Sequence, residues 1–185
     1  MINRRDAIQK VALLMGGTLS IPSLAASLEN FEFSGKSAFN PDQLKLVTEI
    51  ADTIIPRTKT PGAKDAKVQN FVSAVVTDCY SPADRAKFIA GLVEVDKEGM
   101  AQFKKGFVKC TPAQRIAVLK KVEQAGMEHR KTGNGNHFWF MMKELTLTGY
   151  FTSEPGATQA LEYVHTPGRY EGCVPLKPGQ KAWAT

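Results

Sequence analysis

Asn40-Pro41-Asp42-Gln43-Leu44-Lys45-Leu46-Val47-Thr48-Glu49-Ile50-Ala51-Asp52-Thr53-Ile54-Ile55-Pro56 carries a helix start, a helical period and a stop within one stretch. Asn40 is a capping side chain, Pro41 suits the first helical position, and Asp42 places negative charge in the first turn. Leu44, Val47, Ile50, Ala51 and Ile54 recur at helical spacing, which predicts one buried face. Pro56 ends the run, and Arg57-Thr58-Lys59-Thr60-Pro61-Gly62-Ala63 reads as a turn.

The same start signal recurs downstream. Ser81-Pro82-Ala83-Asp84 opens a helix carrying Phe88, Ile89, Leu92, Val95 and Met100, in which Gly91 and Gly99 invite close approach by another element. Thr111-Pro112-Ala113-Gln114 opens another, with a capping-box pairing of Thr111 and Gln114 and with Ile116, Val118, Leu119 and Val122 as apolar positions. A helix from about Asp65 to Tyr80 would turn Val68, Phe71, Val72, Val75 and Val76 inward. After the exposed loop Lys131 to Asn136, an apolar helix runs from His137 to Leu147 with Phe138, Trp139, Met141, Met142 and Leu145. The expected fold is mainly α: a single domain of about five helices over residues 40–185, closed by an irregular C-terminal segment.

The chain has 185 residues, 43% hydrophobic and 23% charged, enough for a core without staples. Of the net charge of +6, Arg4, Arg5 and Lys10 against Asp6 contribute +2 near the N-terminus. The remaining cations are interleaved with Asp and Glu, as on solvated helix faces, and no basic stripe with aromatics points to nucleic acid. Residues 1–26 have a cationic start, an apolar run from Val11 to Ile21 and a small-residue zone at Ala25-Ala26, which reads as a signal peptide. Arg4-Arg5 point to the twin-arginine pathway, although Ala7 stands where a bulky residue is usual. The run is shorter than the ~20 apolar residues of a membrane span. An amphipathic first helix is the alternative. Residues 27–39 form a polar, partly aromatic arm without a clear period.

No catalytic constellation emerges. His129, His137 and His165 lack zinc-ligand spacing; His129 falls on a charged run and reads as a surface residue, while His137 is placed to cap or pack its helix. No nucleophile elbow is present, and Cys110 reads as a small apolar residue at a helix junction. Gly133-Asn134-Gly135 follows no strand and lacks the third glycine of a dinucleotide loop. Neither cofactor-binding nor metal-binding residues are assigned to this chain. Cys79, Cys110 and Cys173 are too few and scattered for a disulfide framework.

The stretch Thr148 to Ala157 and its continuation Thr166 to Pro175 mix aromatics, glycines and prolines too densely for a helix interior, yet are too apolar for a solvated tail. Residues 148–176 must pack on something, either a partner or the chain's own helices. Here the sequence resembles a known family. Ile50-Ala51-Asp52-Thr53-Ile54-Ile55-Pro56 with Thr60-Pro61-Gly62-Ala63, then Leu145-Thr146-Leu147-Thr148-Gly149-Tyr150-Phe151-Thr152-Ser153-Glu154 with Pro167-Gly168-Arg169-Tyr170-Glu171-Gly172-Cys173, resemble the gluconate 2-dehydrogenase subunit 3 family. These are the small, or gamma, subunits of membrane-bound FAD-dependent sugar and polyol dehydrogenases.

The resemblance implies a non-catalytic, periplasmic, membrane-associated partner of a large flavoprotein of the glucose-methanol-choline type. FAD would sit in that large subunit and haem c in a multihaem cytochrome subunit. The small chain would support maturation of the flavoprotein and carry it through the twin-arginine translocase. On this reading Gly149, Tyr150, Phe151, Glu154, His165, Arg169, Tyr170, Glu171 and Cys173 form the large-subunit contact. Tyr150, Phe151 and Tyr170 would be aromatic anchors, and Glu154, Arg169 and Glu171 would set register. With three cysteines in an oxidising compartment one stays unpaired or bonds elsewhere, and Cys173 is the candidate for an intersubunit disulfide or a buried contact. Two other classes stay open: a stand-alone exported helical binding protein, and an enzyme using Cys110 or His165.

Overall fold

The computed structural model describes residues 37–133, 135–166, 168, 173–175 and 177–184. The leader with Arg4 and Arg5, the arm up to residue 36, and Arg169, Tyr170 and Glu171 lie outside the described residues. The five expected α-helices are present among the residues described, which belong to one unit, Gly35–Thr185.

Helix α1, Pro41–Ile54, begins on a reciprocal cap: the Gln43 amide N–H donates to Asn40 Oδ1 at 2.8 Å and the Asn40 N–H to Gln43 Oε1 at 2.9 Å. Leu46, Val47, Ile50 and Ala51 are its buried residues. Leu44 and Ile54, expected inward, lie only partly buried at the edge of the core.

Helix α2, Val68–Asp78, starts three residues later than its apolar pattern suggests. Lys67 sits in the left-handed region at φ 52°, which interrupts any helix passing through it. Asp65 serves the preceding turn instead, taking the Arg57 guanidinium and the Gly62 N–H at 2.8 Å. Val68, Val72 and Val76 face inward as expected.

Helix α3, Pro82–Phe103, is capped by Ser81 Oγ, which accepts from the Asp84 N–H at 3.1 Å. Its buried stripe is Phe88, Gly91, Leu92, Val95 and Gly99. Gly91 lies against the Phe138 ring, where any Cβ would collide, so the expected close approach is present. A Cβ at Gly99 would stand 2.9 Å from the Lys105 carbonyl, which folds the loop after α3 and the 3₁₀ turn Phe107–Lys109 back onto the helix. Met100, expected in the core, is 48% exposed because it lies off that stripe.

Helix α4, Pro112–Lys131, has the capping box: the Thr111 N–H donates to Gln114 Oε1 at 3.0 Å and the Gln114 N–H to Thr111 Oγ1 at 3.4 Å. Val118, Leu119 and Val122 are buried, but Ile116 points outward. Arg115 takes the inward-leaning place beside it. Its guanidinium pairs with Glu49 of α1, donates to the Val108 carbonyl at 2.7 Å and lies over the Phe107 ring.

Helix α5, Phe138–Phe151, contacts each of α1 to α4 and completes the core. Beyond it come a π turn, Gly156–Ala160, and a two-residue parallel pairing of β1, Glu162–Tyr163, with β2, Trp183–Ala184. No helix among the described residues is long and apolar enough to cross a membrane.

The Glu49 carboxyl sits below its ordinary value: burial pushes it up, but hydrogen bonding from Lys64 and the Arg115 charge more than reverse that. A carboxyl held lower in the folded chain stabilises the fold above its unfolded value near 4.5 and loses that contribution as pH falls through the folded value. Glu49→Gln is therefore expected to cost on the order of 2 kcal/mol at neutral pH and much less in acid, where wild type also loses the bond. Denaturant unfolding at pH 7 and pH 3 checks this; a cost independent of pH counts against it.

Candidate partner-binding surface

The segment after Leu147 is helical where irregular chain was expected. Helix α5 continues through Thr148, Gly149 and Tyr150 to Phe151. The glycine that suggested a break is a packing site: a Cβ at Gly149 would lie 2.7 Å from Phe71 Cδ1 and 3.2 Å from Val68 Cγ1 of α2. After the helix, Ser153 Oγ donates to the Tyr150 carbonyl at 2.5 Å and accepts from the Gly156 N–H at 3.2 Å. Gly156 itself lies against the Tyr150 carbonyl with no room for a side chain, which fixes the angle at which the π turn leaves α5.

Tyr150 and Phe151 have opposite fates. Tyr150 is 2% exposed, and its hydroxyl donates to the Pro61 carbonyl at 2.6 Å. It joins two sequence motifs 89 residues apart, the turn after α1 and the end of α5. Tyr150 and Gly149 are thus interior residues and offer no contact surface, which corrects their expected place in an interface. Phe151, next in the chain and about 100° further round the helix, is 39% exposed and rests edge-on against the Tyr150 ring at 5.2 Å.

Around Phe151 the structure assembles a concave apolar surface of about 610 Å³. Leu147, Phe151, Leu161, Tyr163 and Trp183 line it. Tyr163 and Trp183 are each more than half exposed, at 52% and 54%. The two short strands bring these rings to one place, with the Glu162 N–H donating to the Ala182 carbonyl at 2.8 Å. Glu154 and His165 are exposed, and His165 Nδ1 lies 3.3 Å from the Tyr163 hydroxyl. Cys173 is exposed with a free thiol. Arg169, Tyr170 and Glu171 lie outside the described residues. Leu147 and Trp183 were missed in the sequence. Trp183 carried a signal, a tryptophan in an otherwise polar tail, but its neighbours come from the strand pairing.

The other candidate groups are engaged structurally. His137 Nδ1 accepts from the Trp139 N–H at 3.2 Å and caps α5. Burial, and then the neighbouring His129, hold its ring below the ordinary histidine value, opposed by Glu94. His129 is half-buried against it, with ring centroids 5.4 Å apart, and is not the open surface residue its charged neighbours suggest. Cys110 is buried, and its thiol points to the Lys105 and Gly106 carbonyls. Cys79 is exposed at the end of α2. Among the described residues no group of three or more His, Cys, Asp or Glu could hold a metal ion.

A family model described as gluconate 2-dehydrogenase subunit 3 matches residues 41–168, from the first turn of α1 past β1. The chain belongs to that family. Gluconate 2-dehydrogenase subunit 3 is by its description a subunit of a dehydrogenase complex, so an exposed apolar surface has a natural use here. The match includes Phe151, Tyr163 and His165 and ends before Cys173 and Trp183. No curated protein and no solved structure matches the chain.

Tyr150→Phe leaves the Pro61 carbonyl without its partner, so it is expected to lower stability by about 1–2 kcal/mol. Thermal unfolding measures this, and an unchanged melting temperature would show that the bond contributes nothing.

Proposed function

We propose that this chain is the non-catalytic small subunit of a periplasmic, membrane-associated, FAD-dependent dehydrogenase of the glucose-methanol-choline type acting on gluconate or a related sugar or polyol. FAD belongs to the large subunit and haem c to a multihaem cytochrome subunit, and neither is bound by this chain. The small subunit supports maturation of the flavoprotein, and Arg4 and Arg5 direct the folded pair to the twin-arginine translocase. The observation that carries the reading is the family match over residues 41–168. The leader pattern, with its paired arginines, supports the export role.

The large subunit docks on the apolar surface around Phe151, Tyr163 and Trp183. Exposed aromatic rings on an ordered scaffold are the residues that dominate binding energy when a partner desolvates them, each worth ~2 kcal/mol or more on truncation. His165 stands beside the Tyr163 ring and supplies a polar contact there; as the family resemblance implies, Tyr170 is a further anchor and Glu154, Arg169 and Glu171 set register. Cys173, free and exposed, fastens the pair through an intersubunit disulfide.

The test is recovery of the partner with tagged full chain from the periplasm, read by mass spectrometry and flavin absorbance. Wild type is expected to bring down a flavoprotein, and Phe151→Glu with Trp183→Glu to reduce its recovery at least ~30-fold, the equivalent of 2 kcal/mol. Circular dichroism should be unchanged, because both side chains are surface residues. Cys173→Ser should remove a cross-linked band from non-reducing gels. Failure of wild type to capture any flavoprotein overturns the reading; undiminished capture by the double variant moves the dock elsewhere.

A further inference from the structure

A second groove is built from different elements. The start of α1, the second half of α3 and the 3₁₀ turn enclose about 840 Å³, with Leu46 and Leu92 in its lining and Val93, Met100 and Val108 around it. The three last-named are 46%, 48% and 38% exposed. Val93 and Met100 are seven residues apart on α3, with Lys97 between them, so they form one outward stripe opposite in purpose to the buried stripe of the same helix. The wall is braced: Gly99 admits the returning loop, and Arg115 holds the Val108 carbonyl at 2.7 Å.

The lining of this groove is positive on balance, with Lys45, Lys97 and Lys109 against Asp42 and Asp96. Lys97 and Lys109 line it and, among the described residues, form no ion pair. Lys104 and Lys105 follow α3 directly and are exposed. Of the two carboxylates at the groove, Asp96 accepts from the Phe107 N–H at 2.8 Å, and Asp42 stands 3.3 Å from Lys45. A backbone N–H leaves the Asp96 charge in place, and the three lysines of the lining still outnumber its two carboxylates.

We propose that this groove binds an acidic amphipathic helix of another polypeptide, its apolar face on Val93, Met100 and Val108 and its carboxylates on Lys97 and Lys109. A flat lipid surface would meet the rim of the concavity, whereas a helix lying within it can reach Val93, Met100 and Val108 together. An extended peptide would need backbone partners. The groove has helices for walls, and the Val108 carbonyl is already taken by Arg115, whereas a helix satisfies its own backbone. Methionine at the contact suits such a ligand, because its unbranched thioether adapts to the side chains it meets.

The proposal does not depend on the dehydrogenase reading or on the Phe151 surface. Its probe is a fluorescein-labelled synthetic helix of about five turns, Leu and Met on one face and Glu on the other, titrated with the full chain by fluorescence anisotropy. The comparisons are a twin peptide with Lys for Glu and phosphatidylglycerol vesicles. The Glu peptide is expected to bind at least ~10-fold tighter than the Lys twin, with affinity falling as salt is raised. Met100→Glu should weaken it ~10-fold or more, Lys97→Glu with Lys109→Glu should reverse the preference, and Phe151→Glu should leave it unchanged. Equal binding of the twins, no binding of the Glu peptide, or binding indifferent to Met100→Glu overturns the proposal. Vesicle binding that Met100→Glu abolishes, with the peptide unbound, would make the face a membrane contact instead.

Discussion

Helix α5 is apolar on almost every side, and such a helix is stable in water only when other elements enclose it. Phe138, Trp139, Met141, Met142, Leu145, Thr146, Gly149 and Tyr150 are all buried, which leaves little of its circumference for solvent. The one hydroxyl among these inner residues besides that of Tyr150 belongs to Thr146, and it donates back to the Met142 carbonyl at 2.8 Å. The other four helices are arranged around this demand. Gly91 of α3 yields space to Phe138, Gly126 of α4 lies close to His137 and Trp139, and Gly149 lets α2 approach from the other end. Each large side chain that α5 buries contributes roughly 1.5–3 kcal/mol, so small losses of fit along it would be felt throughout the domain.

Much of the helical frame was legible because its signals are local. Asn40, Ser81 and Thr111 each precede a proline and fix a helix start by hydrogen bonds within three residues, and a chain pattern can encode that without any tertiary help. The start of α2 was not legible, because it depends on Lys67 taking a left-handed torsion while Arg57 and Gly62 hold Asp65 in the turn. Met100 and Ile116 were misplaced for a related reason. Both are apolar residues near a helical period, and only the packing partner decides which neighbour faces inward.

The surface was legible as a region and not residue by residue. Density of aromatics and glycines marked the end of the chain, but the same features serve a helix interior when another helix presses on Gly149. One step along α5 separates Tyr150, sealed by the Pro61 carbonyl, from Phe151, open to solvent. Trp183 reaches Tyr163 and Phe151 through a parallel pairing of two residues, and no periodicity can announce a contact that short.

The burial of Tyr150 strengthens the role proposed for its neighbour. A side chain that must be ordered when a partner arrives loses rotamer freedom at a cost of about 0.5–1.5 kcal/mol, and a ring already fixed avoids most of that. Phe151 lies edge-on against a ring that is itself held by a hydrogen bond to the turn after α1. The turn in turn is set by Gly62, where a Cβ would stand 2.6 Å from the Arg57 nitrogen, and by the Ala63 N–H bonded to the Ile55 carbonyl at 2.9 Å. The two motif blocks that carry the family resemblance therefore meet in space: the first builds a rigid turn, the second docks a tyrosine on it, and the residue after that tyrosine is left preorganised at the surface.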